Sequence, residues 1–244
     1  MSRSRLRTTG EHLRILFSED EVASPHMLRV LDGSERERFA RLRQPGDKNR
    51  FAIAAHLLRV GAGEALGIAP EDVDVDRTCE TCTRPHGRPR LPGTGYWCSI
   101  SHSGAYVVVV LASGGPVGVD VEDVREHRAG WRSAAAASTA PNEKRPVDFE
   151  SFLREWTAKE AVLKLTGDGL GRAMSSLELA SARTSVGRRH GLHLRRPVAP
   201  SDLVDIRVAT DSVPGAILSL AVSAPSAAST LASWHSLPLE RIAG

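Results

Sequence analysis

The chain has 244 residues, enough for one large domain or two small ones with a real core. Its 41% apolar residues fit a soluble globular enzyme or binding protein, and no stretch approaches the ~20 uncharged apolar residues of a membrane span. The net charge is only +3 and the arginines fall in short clusters, 36–43 and 183–196. That distribution favours a small anionic ligand or an acidic protein partner over a nucleic-acid groove, although a solvated arginine-rich surface explains the second cluster equally well.

The opening residues, Met1-Ser-Arg-Ser-Arg-Leu-Arg7, are basic, but no apolar core or small-residue cleavage site follows them. A secretory signal is therefore not expected, and the chain reads as cytoplasmic. Residues 13–17 read as a short strand and 35–42 as a helix, with Phe39 and Leu42 spaced for one face. After a turn at Gln44-Pro-Gly46, Asp47 is the expected N-cap of a stronger helix. In it Phe51, Ala54, Ala55, Leu58 and Ala62 repeat at threes and fours, an amphipathic pattern.

Residues 76–95 are rich in Cys, Pro, Gly and Arg and read as a loop with at most a short strand. Cys79-x-x-Cys82-x-x-x-His86, with Cys98 further on, offers four soft groups to a structural zinc. The alternative is reduced thiols that tighten a loop. Three cysteines in a cytoplasmic chain argue against a disulfide framework.

Ser101-His102-Ser103 precedes a strand over 105–112 whose run of four valines predicts burial. Gly114-Gly-Pro116 is a tight turn, and 117–121 reads as the partner strand of a hairpin. On a strand, Asp120 and Glu122 share one face while Val119 and Val121 share the other. Two adjacent carboxylates repel unless a cation sits between them, and a hard divalent ion such as Mg²⁺ answers that need. A half-exposed strand with a wet acidic face is the other reading. Beyond it, 125–146 allows short helices, 149–165 is a helix, and 191–195, 204–209 and 216–223 read as antiparallel strands. From Pro225 on the chain is a small-residue tail in which Trp234 suggests packing.

Glu160 and Lys164 stand one turn apart on the helix and project from one face. They are either an ordinary surface ion pair or, with Trp156 and Lys159, a functional group on an otherwise apolar helix. A third carboxylate beside Asp120 and Glu122 would complete a three-acid Mg²⁺ site. Mg²⁺ keeps waters and binds substrate phosphates, so the implied ligand is a pyrophosphate. The hydroxyls and imidazole of Ser101, His102 and Ser103, and the guanidinium forks of Arg38, Arg50 and Arg88, suit phosphate oxygens. Taken singly each is more ordinary, His102 being a satisfied turn histidine.

Phe51-Ala-Ile-Ala-Ala-His-Leu-Leu-Arg59 lines up with Trp156-Thr-Ala-Lys-Glu-Ala-Val-Leu-Lys164, aromatic on aromatic and base on base. The echo predicts two similar α/β halves, 1–116 and 117–244, with a site at their junction. A single α+β domain is the simpler alternative.

Gly118-Val-Asp-Val-Glu122 followed by Trp156-Thr-Ala-Lys-Glu-Ala161 and Lys164 resembles the signature pair of the 4′-phosphopantetheinyl transferases. His86-Gly-Arg-Pro89 and Ser99-Ile-Ser-His-Ser103 resemble two further motifs of the long, single-chain (Sfp-type) class, in the same order. The resemblance spans about residues 50–170. It implies an α+β fold, a pseudo-twofold pair of α/β subdomains with coenzyme A in the cleft between them. It implies Mg²⁺ held by Asp120, Glu122 and Glu160, and coenzyme A contacts from Arg50, Arg88, Pro89, Ser101, His102, Lys159 and Lys164, with Arg38 a looser candidate.

Arg88 and Arg38 stand where such enzymes often have lysines, and Glu35 falls where a second basic residue can occur, a place Arg36 would then take. The cysteine segment has no role in the signature. The implied reaction moves the phosphopantetheine arm of coenzyme A to a carrier-protein serine, releasing adenosine 3′,5′-bisphosphate. Glu160 would serve as base, directly or through water, Lys164 would assist the leaving phosphate, and His102 is a further catalytic candidate. Partners would be acyl or peptidyl carrier proteins, acidic helical domains, with neither nucleic acid nor membrane, acting on a monomer. The rivals are an arginine-rich, zinc-stapled binding module and a different Mg²⁺ phosphotransferase.

Overall fold

A computed structural model describes residues 13–18, 22–79, 82, 84–126, 129–186, 189–194, 206–223 and 240–241. The basic start, the tail from Pro225 with Trp234, and residues 195, 204 and 205 of two predicted strands lie outside the described residues, as do the side chains of 183–196. The elements in chain order are β1 (Leu13–Ser18), α1 (Gly33–Arg41), α2 (Pro45–Leu66), β2 (Tyr96–Ser103), β3 (Tyr106–Ser113), β4 (Val117–Asp123), α3 (Trp131–Ser138) and α4 (Phe149–Thr166). After them come β5 (Leu179–Val186), β6 (Arg189–Leu194), β7 (Ile206–Val213), β8 (Ala216–Ser223) and β9 (Glu240–Arg241).

The strands form two sheets, ordered β2-β3-β1-β9 and β4-β8-β7-β6-β5. Within them β1-α2-β2-β3 and β4-α4-β7-β8 are the same unit, with strand orders β1-β3-β2 and β4-β8-β7, all antiparallel. The fold is thus α+β with two similar subdomains, and the helices that carry the sequence echo, α2 and α4, are topological equivalents. The β5-β6 hairpin extends the second sheet, and β9 returns to pair in parallel with β1 of the first.

Period-two alternation explains the layering. Ile15, Phe17, Val108 and Val110 of the first sheet meet Val119, Val121, Leu218 and Leu220 of the second in one core. The opposite faces, Leu16, Val107 and Val109 on one side and Val208 and Ala221 on the other, are covered by α2 and α4. Sheets packed face to face with a helix on each flank leave their edges and loops as the places for chemistry.

Both helices have definite ends. Asp148 caps α4 by accepting from Ser151 N–H, and Gly167 closes it with a left-handed φ of 83°. Helix α1 begins with a capping box of Asp32 and Glu35. For α2 the expected cap is wrong: Gln44 holds the N-cap position, Pro45 enters the first turn, and Asp47 pairs with Arg50. Nor is α2 one-sided, since Ala52 through Arg59 are all buried. Arg59 reaches Glu35 at 2.8 Å and Asp32, which makes its burial tolerable. Glu35 therefore belongs to a buried network.

The predicted hairpin of 105–112 with 117–121 does not form. Strand β3 pairs with β1 and β2, and β4 pairs with β8, so the Gly114-Gly115-Pro116 turn carries the chain from one sheet to the next. No described helix is long and apolar enough to cross a membrane.

Candidate active site

The site begins where β2 meets β4, at the seam of the two sheets. Strand β4 is an edge strand, and its outward N–H groups need acceptors. Serines at alternate positions of β2 supply them: Ser99, Ser101 and Ser103 Oγ accept from Val119, Val121 and Asp123 N–H at 3.0, 3.2 and 3.1 Å. Segment 99–103 is therefore strand throughout, and His102 is a strand residue, where a turn histidine was expected.

The same hydroxyls position the acids. Ser101 Oγ donates to Asp120 Oδ1 at 2.8 Å, and Ser103 Oγ donates to Glu122 Oε2 at 2.7 Å. Gly118 lets α4 press on this face, because a Cβ there would stand 1.9 Å from Ala161 O and 2.5 Å from Leu165 N. That contact brings the Glu160–Lys164 turn over β4. Lys164 Nζ donates to Asp120 Oδ1 and to Ser101 Oγ, both at 2.7 Å.

Asp120 is buried and its second oxygen, Oδ2, has no hydrogen-bond partner among the described residues. Burial, then the negative charge of Asp120, push the Glu160 carboxyl up to about 7, against the pull of Lys164, with Glu122 adding to the rise. Three hard carboxylates, one with an orphaned buried oxygen and one whose charge is disfavoured by burial and then by its neighbours, suit a divalent cation. One oxygen from each does not come within 4.8 Å of the other two; among the described residues only Cys79, Cys82 and His86 meet that distance. A loose set of this kind suits Mg²⁺ that keeps waters and shares substrate oxygens.

A cleft of about 630 Å³ adjoins the seam, lined by Arg88, Pro89, Ile100, Lys164, Gly167 and Asp168 among others. Arg88 is exposed, donates to Leu165 O at 3.3 Å, and lies 5.9 Å from the centre of the exposed Trp97 ring. A second cationic group gathers at the start of α2. Arg50 donates to Gly104 O and Asp47, and beside it His102 is held below its ordinary pKa by the protein crowding its ring, then by Arg50 and Lys164. Its surface still reaches solvent. Arg38 sits 5.1 Å over the Phe51 ring, with Arg77 at 5.9 Å from the same ring.

Two expected placements change. Lys159 does not face the acids: it is buried, and its Nζ donates to Ser138 O and Glu143. Ser101 gives its hydroxyl to Val121, Asp120 and Lys164, so the phosphate contact expected of that hydroxyl is replaced by a positioning role. Sequence reasoning missed Ser99 and Ser103 as partners of β4, Trp97 beneath Arg88, and Arg77 beside Arg38. The Ser-x-Ser-x-Ser alternation was the available signal for the first two.

Residues 116–213 match the family model of the 4′-phosphopantetheinyl transferase superfamily. Over 178 residues the chain is 29% identical to the 4′-phosphopantetheinyl transferase HetI of Nostoc sp., covering 70% of this chain and 73% of the relative. It is 36% identical over 97 residues to the 4′-phosphopantetheinyl transferase AcpT of Escherichia coli O157:H7, covering 36% of this chain and 49% of that relative, about half its length. A phosphopantetheinyl transferase of Thraustochytrium sp. is 27% identical over 158 residues, 58% of this chain and 54% of the relative.

Proposed function

We propose that the chain is a 4′-phosphopantetheinyl transferase like the relatives it matches, and that it moves the phosphopantetheine arm of coenzyme A to a serine of an apo acyl or peptidyl carrier protein. The observation that carries this reading is the seam itself: Asp120 with an orphaned oxygen, Lys164 bound to it, and Glu160 above, beside an Arg88-lined cleft. A surface ion pair needs none of this. In the proposal residues 1–116 supply most coenzyme A contacts and 117–244 the acids and the catalytic helix.

Asp120, Glu122 and Glu160 would hold Mg²⁺, which when bound neutralises charge on the pyrophosphate during transfer. Arg88, with Pro89 beside it, and Arg50 and His102 at the α2 end would orient coenzyme A, with Arg38 further out. The serine oxygen attacks the β-phosphorus of coenzyme A; the bond from that phosphorus to the bridging oxygen breaks, and adenosine 3′,5′-bisphosphate leaves. Glu160, directly or through water, takes the serine proton. Lys164 stabilises the departing phosphate oxygen, and His102 is a further candidate for holding a phosphate or moving a proton. We assign the reaction to a cytoplasmic monomer serving fatty-acid, polyketide or nonribosomal-peptide carriers.

Incubation with coenzyme A, Mg²⁺ and several apo carriers tests the proposal by mass spectrometry. A carrier mass increased by one phosphopantetheine arm, with adenosine bisphosphate released only when carrier is present, is the expected result. No shift on any carrier overturns it. Bisphosphate release without carrier would instead favour a hydrolase.

A further inference from the structure

The loop between α2 and β2 is closed at its base and carries three soft ligands at its tip. Asp76 and Arg90 exchange backbone hydrogen bonds at 3.0 and 2.8 Å, and Gly87 N–H donates to Arg77 O at 2.7 Å. Gly87 is needed for that closure, since a Cβ there would stand 2.7 Å from Thr78 O. Above this neck, Cys79 N–H and His86 N–H both reach Arg84 O at 2.9 Å. The folding back places Cys79, Cys82 and His86 so that one ligand atom from each lies within 4.8 Å of the others, with Cys82 Sγ and His86 Nε2 2.8 Å apart. The cysteines are thiols, and Cys82 and His86 are exposed.

Two cysteines and a histidine converge here at the protein surface, the soft donor set that zinc takes. Zinc bonded to sulfur at ~2.3 Å and to nitrogen at ~2.0 Å in a tetrahedron wants its ligand atoms roughly 3.5–3.8 Å apart, a separation reached here by small side-chain rotations. We propose that Cys79, Cys82 and His86 hold one zinc ion, with water in the fourth position. Coordination by two thiolates and a neutral imidazole releases the two thiol protons to solvent. Cys98 is not a ligand. It stands outside the cluster, donates its S–H to Pro89 O at 3.2 Å, and keeps its proton because burial pushes the thiol up to about 12.

The ion would lock the tip of the loop whose next residues, Gly87, Arg88 and Pro89, line the cleft together with Cys79 and His86. Zinc would therefore hold Arg88 in place without touching the chemistry at Asp120. The inference rests on the loop's own geometry and stands whether or not the chain transfers phosphopantetheine.

Metal analysis of the full chain, purified without chelator, tests it together with cobalt substitution. The expected result is one zinc per chain, and with cobalt a thiolate-to-metal charge-transfer band beside the visible bands of a tetrahedral site. Cys82→Ser should weaken zinc binding by about tenfold or more and cut the charge-transfer intensity by about half, while Cys98→Ser keeps both at wild-type levels. Cys82 is exposed, and an unchanged circular dichroism spectrum will show that its variant folds. The proposal is overturned by a wild-type chain that neither retains zinc nor gives the cobalt thiolate band. It is equally overturned if Cys98→Ser loses as much metal as Cys82→Ser.

Discussion

Lys164 Nζ stands 2.7 Å from Asp120 Oδ1, joining the last turn of α4 to the middle of β4 across 44 residues of sequence. The carboxylate is buried and the ammonium about one-third exposed, so the pair is held on one side by protein and open on the other to the cleft. A cation already seated on Asp120 means that removing either partner has two separable effects, on stability and on turnover.

Lys164→Met leaves a buried carboxylate with only Ser101 to answer it among the described residues and should cost about 1–3 kcal/mol of stability, visible in urea titration. Asp120→Asn keeps the shape and should be milder in stability. It should reduce transfer by about 10²-fold or more in the coupled carrier assay. Wild-type turnover of Asp120→Asn would remove Asp120 from the site.

Glu160 gives a pH test whose sign is fixed. Its folded pKa is raised from 4.5 to about 7, so the unfolded chain releases this proton first as pH climbs. Metal-free stability should therefore fall between pH 4.5 and about 7, by at most about 3 kcal/mol, and Glu160→Gln should flatten that slope. Adding Mg²⁺ near pH 6.5 should release about three-quarters of a proton per chain, measured by titration in buffers of different ionisation enthalpy, and Glu160→Gln should abolish that release.

Lys159→Met separates two roles for a residue of the signature helix. Its Nζ is buried against Glu143 and Ser138, so the variant should lose about 3 kcal/mol of stability while the KM for coenzyme A stays within about twofold. A large KM increase in a stably folded variant would return Lys159 to the cleft.

Ser99→Ala deprives Val119 N–H of its acceptor and nothing else among the bonds described, and should cost about 1–2 kcal/mol with normal turnover. Ser101→Ala should cost as much and also slow transfer, because it releases Asp120 and Lys164 as well.

Gly118→Ala must displace α4 from β4, since the added methyl would sit within 2 Å of the Ala161 carbonyl. A loss of about 3 kcal/mol or more, or failure to accumulate folded protein, is expected by denaturant titration.

Where local pattern and tertiary environment agreed, the elements could be read directly. The helix 149–165 emerges as α4 because its apolar period is real and Asp148 caps it, and 216–223 emerges as β8 because every residue in it is buried. Strand β2 was hidden, for Ser99, Ser101 and Ser103 look like turn residues until the N–H groups of β4 are known to face them. Strand β4 was recognised but given the wrong neighbour, since a glycine-proline turn marks a change of direction and not which sheet follows. Asp120, Glu160 and Lys164 were legible from face-sharing on a strand and a helix. Lys159 was misplaced because its partner Glu143 lies in a stretch without readable periodicity.

The rungs at Ser99, Ser101 and Ser103 also govern how this protein can breathe. Each joins a side-chain oxygen to a backbone amide, so parting the halves there breaks these three bonds, with those of Ser101 to Asp120 and Lys164 and of Ser103 to Glu122, and leaves the internal hydrogen bonding of both sheets whole. The amides of Val119, Val121 and Asp123 should then exchange with solvent deuterium together, faster than their neighbours in β8 and more slowly once coenzyme A bridges the gap. The acids thus ride on a strand whose inner margin is fixed and whose outer margin works as a latch.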